Sequence, residues 1–322
     1  MISPGIFAIV RCPDCAGALA PAGEVATCAG CGRPFDMTAG YLDLRPGEVF
    51  AEQTKYLDPA LHADARHASI APAVLGSKIR QDMLRRFLSP GPSDRVIDLG
   101  CGSGRALAWN TPSGASLTGI DISPHFAREA LADHDLVLGD LRRLPMRDAV
   151  FTKAWTLDVI EHVSPEALAE VLAEANRVLV PGGALFAYSH VRRNGWIAGG
   201  VRLVNRLAAG LDRLGLLDLR QERLRKSDHV NPLADHDALS AAAARAGFRI
   251  ERITYYTPII GALVENVLVR LAERWLARRA AAAGLAADAG DEAALKAARA
   301  AGQARVAARG VTYRVLLGLT ML

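Results

Sequence analysis

The stretch Val96-Ile97-Asp98-Leu99-Gly100-Cys101-Gly102-Ser103-Gly104-Arg105 decides the fold of this chain. Its apolar start, which ends in Asp98, predicts a buried parallel strand. Three glycines at alternate positions follow, and residues 105–110 then predict a helix. Glycine permits a tight turn and a close approach of the backbone to a ligand, and the amides at the start of a helix hold polar or anionic groups. The stretch predicts a site for a nucleotide-like ligand, with candidate residues Asp98, Gly100, Gly102 and Gly104.

The spacing of the glycines separates several classes of nucleotide site. A dinucleotide fingerprint requires G-x-G-x-x-G, and a phosphate loop ends in Lys-Ser/Thr, whereas this stretch has G-x-G-x-G preceded by an acid. It resembles motif I of class I S-adenosylmethionine-dependent methyltransferases, whose form is D-L-G-x-G-x-G. A glycine turn in another kind of α/β protein is the alternative on this motif alone.

Two further acids follow predicted strands downstream. Residues 116–120 predict a strand that runs into Asp121, where a carboxylate can accept the hydrogens of both ribose hydroxyls. Residues 136–138 predict the next strand, and the resemblance implies that Asp140, just after it, accepts from the adenine amino group. Ligands of open α/β sheets bind at the carboxyl ends of the strands. The pattern therefore predicts an S-adenosylmethionine pocket, whose further residues are Ile122, Leu141 and Leu157.

Length and composition bound the architecture. The chain has 322 residues, of which 51% are hydrophobic and 22% charged, so a large globular core is expected. The predicted fold is α/β: a Rossmann-like, mostly parallel sheet with flanking helices, a small N-terminal zinc ribbon and C-terminal helical additions. The predicted units are 1–45 (zinc ribbon), 46–93 (linker and lid helix), 94–256 (methyltransferase domain with a helical insertion at 191–233) and 257–322 (helical, Ala-rich region).

Charge and hydropathy favour a cytoplasmic protein. The formal net charge of +4 is too small to indicate a nucleic-acid partner by itself. The first ten residues are apolar but short and lack a basic leader, so no signal peptide is expected. No uninterrupted apolar run reaches the ~20 residues of a membrane span. Five cysteines, four of them in C-x-x-C pairs, are not typical of a secreted disulfide framework, and a reducing compartment is expected.

Four cysteines near the start of the chain have the spacing of a metal site. Cys12 and Cys15 form one C-x-x-C pair, and Cys28 and Cys31 form the other. Four such thiolates can close a tetrahedral site, so the pattern predicts a structural Zn²⁺, with a redox role as the alternative. The module resembles a zinc ribbon. In ribosomal RNA guanine methyltransferases with a similar layout the ribbon helps bind RNA, but its thin basic content here favours packing or partner docking.

Residues 157–163, Leu-Asp-Val-Ile-Glu-His-Val, are similar to the D-V-L-E-H-V signature of small-molecule methyltransferases such as the quinone and polyketide-tailoring groups. The N/D-P-P-Y/F motif of many nucleic-acid amine methyltransferases is absent. The resemblance places His162 near the methyl group, as the first candidate for a general base, with a packing role as the alternative. Asp158, Glu161 and His162, with His190, resemble a magnesium cluster of some O-methyltransferases, although its first ligand is there Glu. Mg²⁺ is the less favoured cofactor.

The C-terminal third adds predicted helices. Residues 196–219 have the pattern of a basic amphipathic helix. Such a helix would form a cap or a dimer seam over a hydrophobic substrate pocket, or lie on a membrane surface. Residues 228–256 are similar to the run before strand six in the small-molecule enzymes. That similarity makes His229 a second catalytic candidate and predicts a strand over 248–255. A seventh strand is not legible.

These features together predict S-adenosylmethionine-dependent methyl transfer to a small, hydrophobic acceptor, with O-methylation favoured. RNA base methylation, with the ribbon docking the RNA, is one alternative. A partner protein that binds the cofactor without turnover is another. The expected partner is a lipophilic small molecule, and a peripheral membrane association and a homo-dimer stay open. Nucleic acid is less favoured.

Overall fold

The computed structural model describes residues 2–46, 70–74, 76–189, 196–217, 219, 236–254 and 259–268, together with positions 270, 271, 274, 275 and 278. The predicted ribbon and the predicted methyltransferase domain up to residue 189 fall within these ranges. Much of the linker and insertion and most of 257–322 lie outside them. His190 and His229 do so as well.

A small antiparallel sheet forms the N-terminal module. Its strands are β1 (Leu19–Ala22), β2 (Val25–Cys28) and β3 (Pro34–Asp36), paired in the order β1-β2-β3. Gly23, with a φ angle of +66°, makes the tight turn between β1 and β2. Only one face has apolar side chains to bury, and Ala26 and Phe35 lie opposite each other on that face.

A six-stranded parallel sheet forms the centre of the molecule. Its strands are β4 (Leu42–Asp43), β5 (Arg95–Leu99), β6 (Ser116–Asp121), β7 (Asp135–Leu138), β8 (Phe151–Leu157) and β9 (Leu179–Tyr188). They pair in the order β4-β7-β6-β5-β8-β9. The apolar residues of β5 are buried on both faces, as in other parallel sheets. The predicted Rossmann-like α/β fold is confirmed.

Helices cover both faces of this sheet. They are α1 (Gly76–Leu88), α2 (Arg105–Asn110), α3 (Arg128–Asp133), α4 (Pro165–Val178), α5 (Trp196–Arg213), α6 (His236–Arg245) and α7 (Ile260–Leu263), which a π-helical turn, Val264–Leu268, continues. Local signals fix the start of α4, because Ser164 accepts the Ala167 amide and Pro165 occupies the first turn. Residues 76–88 form the helix that the sequence predicts as a lid, and the lid role itself stays a prediction; the name lid helix is kept for α1.

Strand β4 joins the N-terminal module to the central sheet. It pairs in parallel with β7, with Leu42 opposite Val137, so the module supplies the edge strand. Residues 40–44 resemble a strand that closes a ribbon, but their backbone hydrogen bonds extend the large sheet instead. The Leu44 amide donates to the Leu138 carbonyl at 2.9 Å. The sequence gives no indication of this pairing.

The N-terminal module and the central sheet share one hydrophobic core. Ile6, Val10 and Leu44 are buried in the same cluster as Val137 and Met146. Polar contacts reinforce this packing, since the Arg11 amide donates to the Pro145 carbonyl, and the Arg147 amide donates to the Ile9 carbonyl. Ser3 donates to the Asp135 carboxylate from both its amide and its hydroxyl. The predicted boundary at residue 45 therefore separates two units that pack as one.

Two predicted elements differ from the structure. Ser123 as an N-cap and Pro124 at the first helical position predict a helix over 123–133, but the helix begins only at α3. The Asp121 carboxylate instead holds the Ser123 amide, and the Ala127 amide donates to the Ser103 carbonyl. The predicted strand over 248–255 is wrong for its described part, 248–254. These residues are irregular, and side chains 249–254 are all exposed, so the strand's buried face does not exist here.

Helix α5 packs on α7 and the turn that follows it, in a cluster that includes Val204, Ala208 and Val267. The predicted amphipathic helix is thus present over 196–213. Among the described residues, no helix is both long enough and apolar enough to cross a bilayer.

Candidate active site and metal centre

The glycine loop after β5 uses backbone conformations that side chains rarely adopt. Gly100, Gly102 and Gly104 have φ angles of +80°, +55° and +81°. A Cβ on Gly100 would lie 2.4 Å from a methyl of Val159, and one on Gly104 would lie 2.5 Å from Ala130 Cβ. A Cβ on Gly102 would meet no atom within 4 Å. The protein's own packing requires two of these glycines, whereas the third borders open space.

Asp121, the last residue of β6, is held against this loop. Its Oδ2 accepts the Gly102 amide at 2.7 Å, and its Oδ1 accepts the Ser123 amide at 2.9 Å. Each carboxylate oxygen has two lone pairs, so both oxygens can accept a further hydrogen bond. The predicted ribose-binding role of Asp121 stays a prediction, and this geometry is compatible with it.

Asp98 lies deeper than Asp121. It is 1% exposed, and its Oδ2 has no hydrogen-bond partner among the described residues. Burial raises the pKa of Asp98 to about 7; the nearby Trp155 indole opposes this shift, and the charge of Asp121 adds to it. A buried carboxylate with an unused acceptor atom costs free energy unless a cation or a donor reaches it. The Trp155 indole N–H, which also has no other partner among the described residues, lies opposite Asp98 as one such donor, and a cationic ligand group would stabilise the charged form further.

The raised pKa of Asp98 predicts a pH-dependent stability for the cofactor-free protein. An unfolded Asp has a pKa of about 3.9. Between about pH 4 and pH 7 the folded state keeps a proton that the unfolded state has lost, so the free energy of unfolding falls as the pH rises. We expect Asp98→Asn to reduce this slope in urea unfolding at pH 5 and pH 8. Glu161, described below, contributes to the same slope, so part of it should remain.

The exposed Asp133 offers a matched control. Asp133→Asn removes the same charge from the surface and should leave the pH slope as in the wild type. An Asp98→Asn variant whose unfolding free energy changes with pH as much as that of the wild type would contradict the assignment of the buried proton to Asp98.

Asp140, the third acid, follows β7 by two residues. It is 8% exposed, and it accepts hydrogen bonds from the Arg142 amide at 2.9 Å and from its guanidinium Nε at 3.0 Å. Leu141 begins the short 3₁₀ turn Leu141–Arg143, at the edge where β6 and β8 also end. The three predicted acids thus lie at successive strand ends of one sheet edge. Two apolar candidates lie half-buried at this edge, Ile122 and Leu157.

A second polar cluster lies at the end of β8. Asp158 has a φ angle of +58°, which is unusual for a residue other than glycine, and its carboxylate pairs with Arg80 of the lid helix α1. The Arg80 guanidinium also lies over the Tyr188 ring, 5.0 Å from its centroid. These contacts tie the lid helix to the carboxyl ends of β8 and β9.

Glu161 and His162 follow in the 3₁₀ turn Ile160–His162. Glu161 is 1% exposed and accepts a hydrogen bond from the Ser189 hydroxyl at 2.8 Å. Burial raises the pKa of Glu161 to about 7, and the nearby charge of Asp158 adds to the rise. His162 is half-buried beside it. A proton acceptor near neutral pH is therefore present next to the predicted base.

The magnesium alternative finds no support in the described part of the chain. Asp158, Glu161 and His162 do not bring their donor atoms together as a metal site requires. Arg80 engages Asp158, and Ser189 donates to Glu161. The fourth residue of that set, His190, lies outside the described ranges.

The four cysteines of the N-terminal module do converge. All four Sγ atoms lie within 4.8 Å of one another; Cys12 and Cys31 are 3.7 Å apart at sulfur, and Cys15 and Cys28 are 3.4 Å apart. Thiolates ~2.3 Å from a tetrahedral zinc ion have sulfurs about 3.8 Å apart. These four residues fit Zn²⁺, as their spacing in sequence predicts.

The turns around the sulfurs are suited to thiolate ligands. The amides of Gly30 and Cys31 point at Cys28 Sγ, at 3.3 and 3.5 Å. The Cys31 amide is the main cause that lowers the pKa of Cys28 to about 6, which favours the thiolate, whereas burial raises the pKa of Cys12 to about 12, so that Cys12 needs a metal ion to bind as a thiolate. A Cβ on Gly17 would lie 2.8 Å from Cys28 Sγ, so the site has room only for glycine there.

One known family matches the segment that forms this sheet edge. Residues 97–187, from β5 to β9, match the family model described as "Methyltransferase domain". This segment contains the glycine loop and all three strand-end acids. It is a class I S-adenosylmethionine-dependent methyltransferase domain. The sequence-based resemblance is confirmed.

Curated relatives agree with the domain. A 27-O-demethylrifamycin SV methyltransferase of Amycolatopsis mediterranei is 35% identical over 114 residues, which cover 32% of this chain and 41% of the relative. A malonyl-[acyl-carrier protein] O-methyltransferase of Serratia marcescens is 31% identical over 113 residues, which cover 33% and 44%. An uncharacterised 37.1 kDa protein from a Streptomyces fradiae transposon is 33% identical over 153 residues, covering 43% and 40%. The chain therefore spans less than half the length of these three relatives.

Solved structures share the fold of the methyltransferase domain. Phosphoethanolamine N-methyltransferase 2 of Haemonchus contortus, bound to S-adenosyl-L-methionine, superposes with a TM-score of 0.52 at 17% identity, over 86% of this chain and 59% of that one. The same enzyme with phosphomonomethylethanolamine and S-adenosylhomocysteine gives a TM-score of 0.51 at 17% identity, over 79% and 54%. At this identity the likeness concerns the fold alone.

Sequence reasoning missed several residues of the methyltransferase site. The sequence places Arg80 in the predicted lid helix but does not indicate its partner, because Asp158 is 78 positions away. Tyr188 is the last residue of β9 and Ser189 follows it, and the sequence of this strand contains no functional motif that would single them out. The position of Trp155 could have been inferred, because parallel pairing of β5 with β8 places it opposite Asp98.

Proposed function

We propose that this chain transfers a methyl group from S-adenosylmethionine to a small, hydrophobic acceptor, with an oxygen as the favoured nucleophile. The observation that carries the proposal is the glycine loop after β5, where Asp121 holds the Gly102 amide, the space at Gly102 is open, and the strand before the loop carries the buried carboxyl of Asp98. S-adenosylmethionine is a cation at its sulfonium and ammonium groups, and such a carboxylate stabilises a cation that is taken out of water.

The residues of the pocket can divide the cofactor between them. The two oxygens of Asp121 would accept the ribose hydroxyl hydrogens, as the family resemblance implies. Asp140 and the amide of Leu141 would hold the adenine ring, with Arg142 fixing the Asp140 carboxylate from the far side. Ile122 and Leu157 would supply apolar contacts. When bound, the cofactor supplies a methyl group that a nucleophile displaces from sulfur in line.

The acceptor side of the pocket supports a hydrophobic molecule. The lid helix α1 places Phe87 against Phe186 of β9 with their ring centroids 5.8 Å apart, and Tyr188 lies farther along the same strand. Phe186 belongs to the hydrophobic core and Phe87 packs against it, so of these three rings Tyr188, the last residue of β9, is the one proposed to contact an apolar acceptor. The curated relatives named above act, by their names, on a rifamycin and on a malonyl-acyl carrier protein.

An oxygen acceptor needs a group that takes up its proton. His162 is the proposed base, and the buried Glu161 beside it is a second proton acceptor near neutral pH. The Ser189 hydroxyl holds the Glu161 carboxylate in place by a hydrogen bond. The carboxylate can then accept a hydrogen bond from a neighbouring polar group and orient that group. The proposed role of His229 rests on the sequence alone.

The ribbon is proposed to hold a structural Zn²⁺ and to act by packing rather than by binding RNA. Two of its arginines are already paired with carboxylates, Arg11 with Asp148 and Arg33 with Asp14. A cytoplasmic location belongs to the same proposal, since free thiolates at a zinc site persist in a reducing compartment.

A labelled-methyl assay tests the proposed activity. Purified protein, S-adenosylmethionine with a labelled methyl group and cell extract would be incubated and then separated into RNA, lipid and small-molecule fractions. We expect label in the lipid or small-molecule fraction, and less than about a hundredth of it with Asp121→Ala, because the variant loses the ribose contacts. Label confined to RNA would overturn the choice of acceptor. The protein could instead bind S-adenosylmethionine, with a binding that Asp121→Ala weakens, and yet transfer no label to any fraction. That result would favour the alternative of a partner protein that binds the cofactor without turnover.

A further inference from the structure

Helix α5 presents three different faces, and one of them packs against other described residues. Val204 and Ala208 are buried and, with Leu211, pack against the α7 region. Asn205 accepts a hydrogen bond from the Asn266 amide group at 3.0 Å, which fixes the helix on that side. Of the α5 side chains that the structure describes, those at 202, 203, 205–207 and 213 are exposed.

One open flank is a row of leucines. Three leucines form this row: Leu203 and Leu207 lie on α5, and Leu214 follows its last residue. Their side chains are 68%, 49% and 74% exposed, respectively. At about 100° per residue, positions 203, 207 and 214 fall within about 40° of one another around a helix. Isolated exposed leucines are ordinary, but three in one row form a continuous apolar stripe, which marks an interaction surface.

A row of arginines runs next to the leucines. Arg202, Arg206 and Arg213 are exposed and share the neighbouring flank, about 80–100° around the helix from the leucine stripe. The single acid of the helix, Asp212, lies on the opposite flank and accepts the Leu219 amide at 3.0 Å. The arginine row therefore carries positive charge with no carboxylate of its own helix beside it.

The apolar stripe continues past the end of α5. Leu216 is 42% exposed, and Trp275 is 55% exposed. Arg274 donates to the Leu217 carbonyl at 2.8 Å, which brings the adjoining Trp275 to the same end of the helix. Tryptophan and arginine are residues that favour the boundary between water and the acyl region of a bilayer.

We propose that this leucine–arginine surface of α5 binds the surface of an anionic lipid bilayer, with the helix lying in the plane of the interface. The leucines would enter the acyl boundary while the arginines, one flank away, meet the lipid phosphates. A second copy of the chain fits less well. In an antiparallel two-fold contact over the leucine stripe, the two arginine rows would lie on the same side of the helix pair and repel each other. Binding of this kind is independent of which acceptor is methylated.

Vesicle flotation with the full chain tests the inference. We expect the protein to float with phosphatidylcholine vesicles that contain phosphatidylserine, and to float far less with phosphatidylcholine alone or at high salt. Arg202→Gln/Arg206→Gln should weaken binding about 25-fold, at about fivefold for each arginine near an anionic surface. Leu203→Ser/Leu207→Ser should weaken it about tenfold or more.

The chain offers matched controls for both variants. Ile250→Ser/Ile253→Ser removes two exposed aliphatic side chains elsewhere, and Arg245→Gln/Arg249→Gln removes the same charge from another exposed segment. Both controls should bind vesicles like the wild type. Equal binding by the α5 variants would overturn the inference. So would light scattering that shows a wild-type dimer turned to monomer by Leu203→Ser/Leu207→Ser with vesicle binding unchanged, because the stripe would then serve self-association.

Discussion

Removal of the metal from the four-cysteine site is expected to lower the unfolding temperature of the methyltransferase domain by about 10 °C, although no cysteine of that site lies in the domain. The reason is the shared core. Ile6, Val10 and Leu44 are buried together with Val137 and Met146, and β4 completes the central sheet. A module this small depends on its metal to fold. When it unfolds, the domain loses this packing, and a loss of several kcal/mol shifts a transition of this size by about 2–4 °C per kcal/mol.

Tryptophan fluorescence measures this effect in the right place. All four tryptophans of the chain lie after residue 100, and the ribbon contains none. The measurement compares thermal unfolding of the wild type, of the wild type with a chelator, and of Cys12→Ser, with zinc content determined for each. Cys101→Ala is the control, since this cysteine lies in the glycine loop and should leave the zinc content unchanged. A Cys12→Ser protein without zinc that unfolds at the wild-type temperature would show that the two units are energetically independent.

Gly102→Ala is expected to reduce S-adenosylmethionine affinity at least 100-fold while leaving the fold intact. Its Cβ would meet no protein atom within 4 Å, so the protein itself has room for it. The φ angle of +55° costs about 1 kcal/mol for alanine, which the domain can tolerate. The added methyl group would instead occupy the open space at Gly102, next to Asp121, that we assign to the cofactor. Isothermal titration calorimetry measures the affinity.

Gly182→Ala is a closely matched control for that variant. Gly182 has a φ angle of +79°, and its Cβ would also meet nothing within 4 Å, but it lies near the start of β9, at the opposite edge of the sheet. Both variants should unfold at nearly the same temperature, and only Gly102→Ala should lose the cofactor. Equal affinities of the two variants would place the cofactor somewhere other than the glycine loop.

Elements with local signals could be predicted from the sequence. The strand before the glycine loop, the helix at 105–110 and the acids at 98, 121 and 140 follow from apolar runs, glycine spacing and charges that lie next to one another in the chain. The cysteine site was predictable for the same reason, because each half of it is a single tight turn. For these features the chain needs no distant partner to choose its conformation.

Features that depend on distant partners could not be predicted. Residues 40–44 resemble a strand, but nothing in their sequence indicates that β4 pairs with β7, which offers it an unpaired edge. The pairing of Arg80 with Asp158 depends on how α1 lies across the end of β8. The helix predicted from Ser123 begins later because Asp121 and Ser103 take the backbone of residues 123–127 for the glycine loop. Tertiary contacts override local propensity in each case.

The edge pairing of β4 also has a consequence for synthesis of the chain on the ribosome. Ser3 and Asp135, which hold the two units together, are 132 residues apart. At about 5–20 residues per second, the N-terminal module waits on the order of ten seconds before β7 leaves the ribosome. During that time its apolar face has nothing to cover it, and only the cysteine turns can keep it compact. Metal supply early in translation would therefore decide how much of the newly made protein escapes aggregation.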